Sequence, residues 1–512
     1  MPTRRTFLAA SAATAAVASL RPARAAEAPH PHLVEATLSG LAPASALDLV
    51  RQYAERIEAT NTRGPELRAV LELNPDAEAI AAALDAERAA GRVRSPLHGI
   101  PILVKDNFDT ADRMQTTAGS LALLGSTVAA DATAVAKLRA AGAVILGKTN
   151  LSEWANIRST RSSSGWSARG GQCRNPTRLD RSPSGSSSGS AVAVAANLCA
   201  VALGSETDGS VVSPSQVNGI VGVKPTVGLV SRAGIIPIAH SQDTAGVHAR
   251  TVTDAHAVLA ILAGPDPRDP ATAAAPPLGP LREDALRGAR IGVPRKGLWG
   301  YDAAADAAAE RALSVLAAQG AVIVDPADLP AIDDISGDDE LLVLLTELVV
   351  DLAAYLSTRT GGPKTLAEIV AFNTAHAAEE MPFFGQELFE QALATGGLGD
   401  PRYRTALARN RKRAREHGID AALRRHQLDA LVCPAGGAAW AIDHVAGDQY
   451  TGGCSTPSAV AGYPIVTVPY GEDAGLPLGL AFLGTAWSDT TLLRLAYGFE
   501  LATRERRAPG LG

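Results

Sequence analysis

Residues 181–226 read RSPSGSSSGSAVAVAANLCAVALGSETDGSVVSPSQVNGIVGVKPT, and the rest of the chain is organised around them. The stretch opens on a Ser/Gly tract, Ser184–Ser190. An apolar, Ala-rich run, Ala191–Leu203, follows, and then a second tight turn, Gly204–Ser210, that ends in a serine. Gly lets backbone approach a ligand closely, and successive free N–H groups in such turns form anion-binding nests. A flexible Gly/Ser linker would not lead into a patterned apolar segment. The stretch therefore reads as two serine-bearing loops joined by a buried spacer.

Around it, the composition is that of a globular protein, with 46% hydrophobic and 20% charged residues. A chain of 512 residues is long enough for about three domains. No Pro/Gly/Ser-rich linker separates two halves, so one domain over residues 26–512 is expected. Residues 1–25 read as a targeting signal. Thr3-Arg4-Arg5-Thr6-Phe7-Leu8 is a twin-arginine pattern, a short weakly apolar run follows, and Ala23-Arg24-Ala25 offers a cleavage site. The run is too short to span a bilayer, so no membrane partner is expected after cleavage, and the address is periplasmic or secreted. Losing four arginines takes the formal charge from −6 to −10. An acidic chain argues against nucleic acid as a partner, and the basic segment Pro401–His426 then reads as a solvated helix face. Four cysteines are too few for a disulfide scaffold and none has metal-ligand spacing, although Cys433 and Cys454 could pair in an oxidising compartment.

Helices and strands alternate along the chain, which predicts an α/β fold: a large mixed sheet with helices on both faces. Helices are expected over Ala46–Thr60, over Pro75–Ala90 with Asn74 as cap, over Ala303–Gln319 and over Leu341–Ser357. Strands are expected at Ala143–Leu146, Ala289–Pro294, Ala321–Asp325, Asp429–Pro434, Pro464–Pro469 and Leu478–Leu483. The run Gly99-Ile100-Pro101-Ile102-Leu103-Val104 is apolar on both faces, as an interior strand is, and runs straight into Lys105-Asp106-Asn107. Two readings of Lys105 stand: a partly buried lysine whose pKa falls by desolvation so that it can serve as a base, or a surface lysine paired with Asp106. Lys148 also follows a strand, but lacks the glycine spacing of a phosphate loop and reads as structural. Leu151–Gln172 is a polar loop carrying Trp154 and Trp166.

Three readings of the serines compete. Gly185-Ser186-Ser187-Ser188-Gly189 matches a nucleophile elbow with Ser187 at its centre, but that motif needs a buried strand before it, and Arg174–Pro183 is polar and broken by proline. A non-catalytic exported binding protein would use the same loops, but leaves Lys105 unexplained. The third reading is a hydrolase with two serines and a lysine.

Here the sequence resembles the amidase signature family, closely over Asp48–Thr253 and more loosely over Asp429–Gly484. Gly99–Asn107 is similar to the family's strand with a catalytic lysine, which implies that role for Lys105. Ser184–Ser190 looks like its Ser/Gly tract, which implies a cis-linked relay serine at Ser186 with Ser187 as a supporting neighbour. Glu206–Ser210 resembles the turn that ends in the nucleophile, which implies Ser210, with Thr207, Asp208 and Gly209 in the oxyanion hole. Gly222–Thr226 matches the motif that follows. Ser184, Ser188 and Asp208 stand where the family commonly has glycine. Thr149–Asn156, Ser164–Gln172 and Ser241–Gly246 look most like the peptide amidase branch. The resemblance implies hydrolysis of an amide, such as a peptide's C-terminal amide, to acid and ammonia, with no metal or cofactor. His98, His240 and His248 are then structural or substrate-side. Small aliphatic or aryl amides and lactams are the alternative substrates. Glutamyl-tRNA amidotransferase subunits share the signature, but an exported chain does not meet their substrate. A monomer is expected.

Overall fold

The computed structural model describes residues 30–335 and 337–510. The twin-arginine segment, residues 1–25, lies outside the described residues. At the centre is a sheet of eleven strands. In chain order these are β1 (Val70–Leu73), β2 (Pro101–Lys105), β3 (Val144–Thr149), β6 (Val201–Glu206), β7 (Val221–Lys224), β8 (Thr244–Ala249), β9 (Arg290–Gly292), β10 (Val322–Val324), β11 (Ala430–Pro434), β12 (Ile465–Asp473) and β13 (Leu476–Leu483). A separate ribbon, β4 (Trp166–Ser167) with β5 (Gly171–Gln172), comes from the polar loop. The large sheet runs β1-β3-β2-β6-β8-β7-β12-β13-β11-β9-β10. It is mixed: β3, β2 and β6 are mutually parallel, and so are β11, β9 and β10, while the strands between them are antiparallel.

The parallel block positions the site. β2 and β3 are buried along their whole length, as continuous apolar runs in a covered sheet require. Leu103 lies opposite Ala202 and Val104 opposite Leu203, so the end of β2 falls two residues short of the end of β6. Their carboxyl ends deliver Lys105 and Ser205 to one place, where α/β sheets commonly bind ligands. The apolar spacer splits into a helix, Ser188–Ala195, buried on every residue, and β6. Each fully buried Val or Leu there contributes about 1.5–3 kcal/mol, which holds the two serine loops against each other. Gly189 admits no side chain, since a Cβ would sit 2.2 Å from the Ala69 carbonyl oxygen.

Several expected boundaries shift. The first long helix ends at Ile57 and continues as a π turn, Glu58–Thr62. The second is Ala77–Ala89, and Asn74 does not cap it. Its amide instead donates to the Ile145 carbonyl and accepts from the Asp76 N–H, which makes Pro75 part of a turn. β3 runs three residues past the expected strand, so Lys148 lies inside it. The basic region is two helices, Pro401–Ala414 and Asp420–His426, around a π turn. Cys433 and Cys454 are both free and buried. Among the described residues, no helix is long and apolar enough to cross a membrane.

Candidate active site

Lys105 is fully buried at the end of β2. Its Nζ donates to Ser186 Oγ (2.9 Å), Ser205 Oγ (3.0 Å) and the Ser205 carbonyl oxygen (3.2 Å). Burial lowers its pKa from 10.5 to about 7, against the opposing pull of Asp243 and Glu206. The lysine is therefore poised between its two protonation states near neutral pH, with a hydroxyl in reach to exchange a proton with.

Ser186 follows a cis peptide from Gly185. The Ser187 N–H donates to the Ser210 carbonyl oxygen (3.1 Å), which joins the tract to the far turn. Ser187 Oγ donates to the Ser205 carbonyl (3.0 Å) and accepts from the Ser205 N–H (3.2 Å). Both its capacities are spent on backbone, so Ser187 is a brace. No strand leads directly into the tract: residues 173–183 carry only an isolated bridge at Arg181, so the geometry of a nucleophile elbow is not met.

The turn carrying Ser210 is held from several sides. Glu206 bends back, and one carboxylate oxygen accepts from the Val211 (2.7 Å) and Val212 (2.9 Å) N–H groups. Burial raises its pKa, and the buried Lys224 opposes that rise. Thr207 Oγ1 donates to Asp243 (2.6 Å), itself fixed by the Ile238 and Ala239 N–H groups. Gln242 Nε2 bridges the Thr207 carbonyl (3.3 Å) and Glu340 (2.9 Å). Asp208 accepts from Ser455 (2.5 Å) and Thr456 (2.7 Å). Gly209 takes φ +76°, and Ser210 is 8% exposed. Among the described residues, the N–H groups of Thr207, Asp208, Gly209 and Ser210 make no hydrogen bond. Four free donors in one braced turn can receive an oxyanion.

The departures from glycine are accommodated. Ser184 sits at φ +58° with its hydroxyl on Ser213 (2.7 Å), and Ser188 Oγ donates to the Ser184 carbonyl (2.6 Å). The sequence reading did not single out Ser205, Glu206, Gln242 or Asp243. Two of these lie in the segment Ser241–Gly246, and the other two lie inside the turn Gly204–Ser210. Each is a polar residue at a strand end, which is the signal that could have found them.

None of the three histidines reaches the lysine by a hydrogen bond. His98 bonds the Leu84 carbonyl, His240 pairs with Asp351, and His248 Nδ1 meets Ser215 Oγ. Burial pushes His248 down to about 3, so it is neutral. Lys148 is also buried, and donates to the Phe108 carbonyl and Thr116 Oγ1. A cavity of about 510 Å³ lies beside Ser205, lined in part by Asn107, Ser205, Thr207 and Asp243.

With this geometry in place, the similarities to known proteins are informative. The Amidase family model matches residues 48–493. A probable amidase of Arabidopsis thaliana is 41% identical over 476 residues, covering 90% of this chain and 87% of that protein. The native peptide amidase of Stenotrophomonas maltophilia superposes with a TM-score of 0.88 at 50% identity, covering 93% of this chain and 99% of that one. A peptide amidase in complex with the competitive inhibitor chymostatin gives 0.90 at 51% identity, with the same coverages. The chain belongs to the amidase family and is a hydrolase of carbon–nitrogen amide bonds.

Proposed function

We propose that the chain is an exported serine amidohydrolase that removes the C-terminal amide of peptides, using Ser210 as nucleophile, Ser186 as relay and Lys105 as base. The observation that carries the chemistry is the 2.9 Å contact between Lys105 Nζ and Ser186 Oγ in a fully buried setting. Neutral Lys105 accepts the Ser186 proton while Ser186 takes the proton of Ser210, because a hydroxyl both donates and accepts. Ser210 Oγ attacks the amide carbonyl carbon. The oxyanion falls among the N–H groups of residues 207–210, each worth about 3 kcal/mol. As the C–N bond breaks, the relay returns the proton to nitrogen and ammonia departs. Water then attacks the acyl ester by the same relay and frees the acid and Ser210.

Likeness to the peptide amidases at about half identity supports the substrate class. The twin-arginine pattern at Arg4-Arg5 supports export. The test is ammonia release from C-terminally amidated peptides beside simple alkyl and aryl amides, with Ser210→Ala as control. Turnover of the peptide amides, lost in Ser210→Ala, is expected. Turnover confined to the simple amides would overturn the substrate class, and activity surviving in Ser210→Ala would overturn the nucleophile.

A further inference from the structure

Aromatic residues make up only 4% of this chain, with five tryptophans, eight tyrosines and eight phenylalanines. Several converge beside the serine loops from three separate segments. Phe383 is 45% exposed, yet one face of its ring stacks on His444 at 4.0 Å and 10°, and Trp166 meets it edge-on at 5.6 Å. Trp166 also packs edge-on against the buried Phe384 at 5.2 Å. Beneath them the fully buried Arg158 lies 4.3 Å from the Phe384 ring centroid and pairs with buried Glu153 at 3.1 Å. Tyr450 is 48% exposed and meets Trp440 edge-on at 5.5 Å.

The cluster is anchored to the site. The Trp440 carbonyl accepts from the Ser182 N–H. Gly165, next to Trp166, donates to Ser152 Oγ, and the Ser152 N–H donates to the Ser186 carbonyl. Exposed aromatic faces held rigid by buried partners are a recognition surface for apolar groups.

We infer that this aromatic rim is the subsite for the acyl side of the substrate and selects amides whose acyl group carries an aromatic or large apolar side chain. The inference rests on the amide-hydrolase reading above and deepens its substrate class. An aromatic group seated against Phe383 and Tyr450 sheds water from both partners and stacks on or against a ring. Asp448 ties the Trp440 segment to the Trp166 segment. It accepts from Trp440 Nε1 (2.9 Å) and the Ser164 N–H (3.1 Å).

The experiment compares kcat/KM within two pairs, acetyl-phenylalaninamide against acetyl-glycinamide, and 3-phenylpropionamide against propionamide. It uses the whole chain, Phe383→Ala and Phe383→Leu. Phe383 is half exposed, so its truncation does not open the core. The unsubstituted protein is expected to favour the phenyl member of each pair. Phe383→Ala should reduce that preference about tenfold, through KM, with Phe383→Leu between the two. No phenyl preference, or a preference untouched in Phe383→Ala, overturns the rim. If only the second pair is turned over, the peptide reading fails while the rim is still tested by that pair. Failure to hydrolyse either pair overturns both.

Discussion

Two buried lysines stand on neighbouring parallel strands, Lys105 at the end of β2 and Lys148 inside β3, in registers one residue apart. Burial alone would make them alike. What separates them is their partners. Lys148 donates to the Phe108 carbonyl (2.7 Å), which has no proton to give, and to Thr116 (2.8 Å). Burial lowers its pKa to about 8, against the pull of Asp106, Asp109, Asp112 and Glu72. Lys105 faces two serine hydroxyls, has only Asp243 and Glu206 pulling the other way, and falls to about 7. Lys148 is a cationic strut at neutral pH. Lys105 has the surroundings that the proposed role of base requires. A desolvated lysine becomes catalytic only where an exchangeable proton and a second group awaiting activation lie beside it.

The comparison can be broken by substitution. The largest effect is expected for Ser210→Ala, where kcat should fall by at least about 10⁴-fold and intact-mass spectra should lose the acyl adduct. Lys105→Met removes the base while keeping the volume. It should cost about 10³–10⁴-fold in kcat with an unchanged circular dichroism spectrum. Ser186→Ala breaks the relay and should cost about 10²–10⁴-fold. Lys148→Met should behave in the opposite way. Steady-state kinetics should find kcat within about threefold, while urea unfolding finds a loss of about 1–3 kcal/mol as a buried carbonyl loses its donor. A kcat collapse in Lys148→Met with stability intact would erase the distinction between the two lysines.

Much of the site was legible because its chemistry is local in sequence. The apolar strand ending in Lys105, the Ser/Gly tract and the turn ending in Ser210 each carry their own pattern, and one buried spacer sets the distance between the last two. The braces were not legible. Asp243 on Thr207, Glu206 on the Val211 and Val212 N–H groups, and Ser455 and Thr456 on Asp208 are contacts set by the fold. Ser455 and Thr456 lie nearly 250 residues from the turn they hold. The alternation of elements disclosed a mixed sheet, yet its strand order depends on long-range pairing that no periodicity encodes. Asn74 shows the limit at short range. A residue suited to cap a helix was recruited by the neighbouring β3, because a buried carbonyl there needed a donor.

The role of Lys105 as a neutral base is tested most directly by the pH dependence of kcat/KM, in the unsubstituted chain and in Lys148→Met. Burial holds Lys105 below its ordinary value, so the active, unprotonated form grows as pH rises through about 7 and is lost below it. Both proteins should therefore show activity falling about tenfold per unit below a midpoint near 7 and level above it. A profile that stays flat to pH 5, or an acid limb that disappears in Lys148→Met, would contradict the assignment of Lys105 as the base.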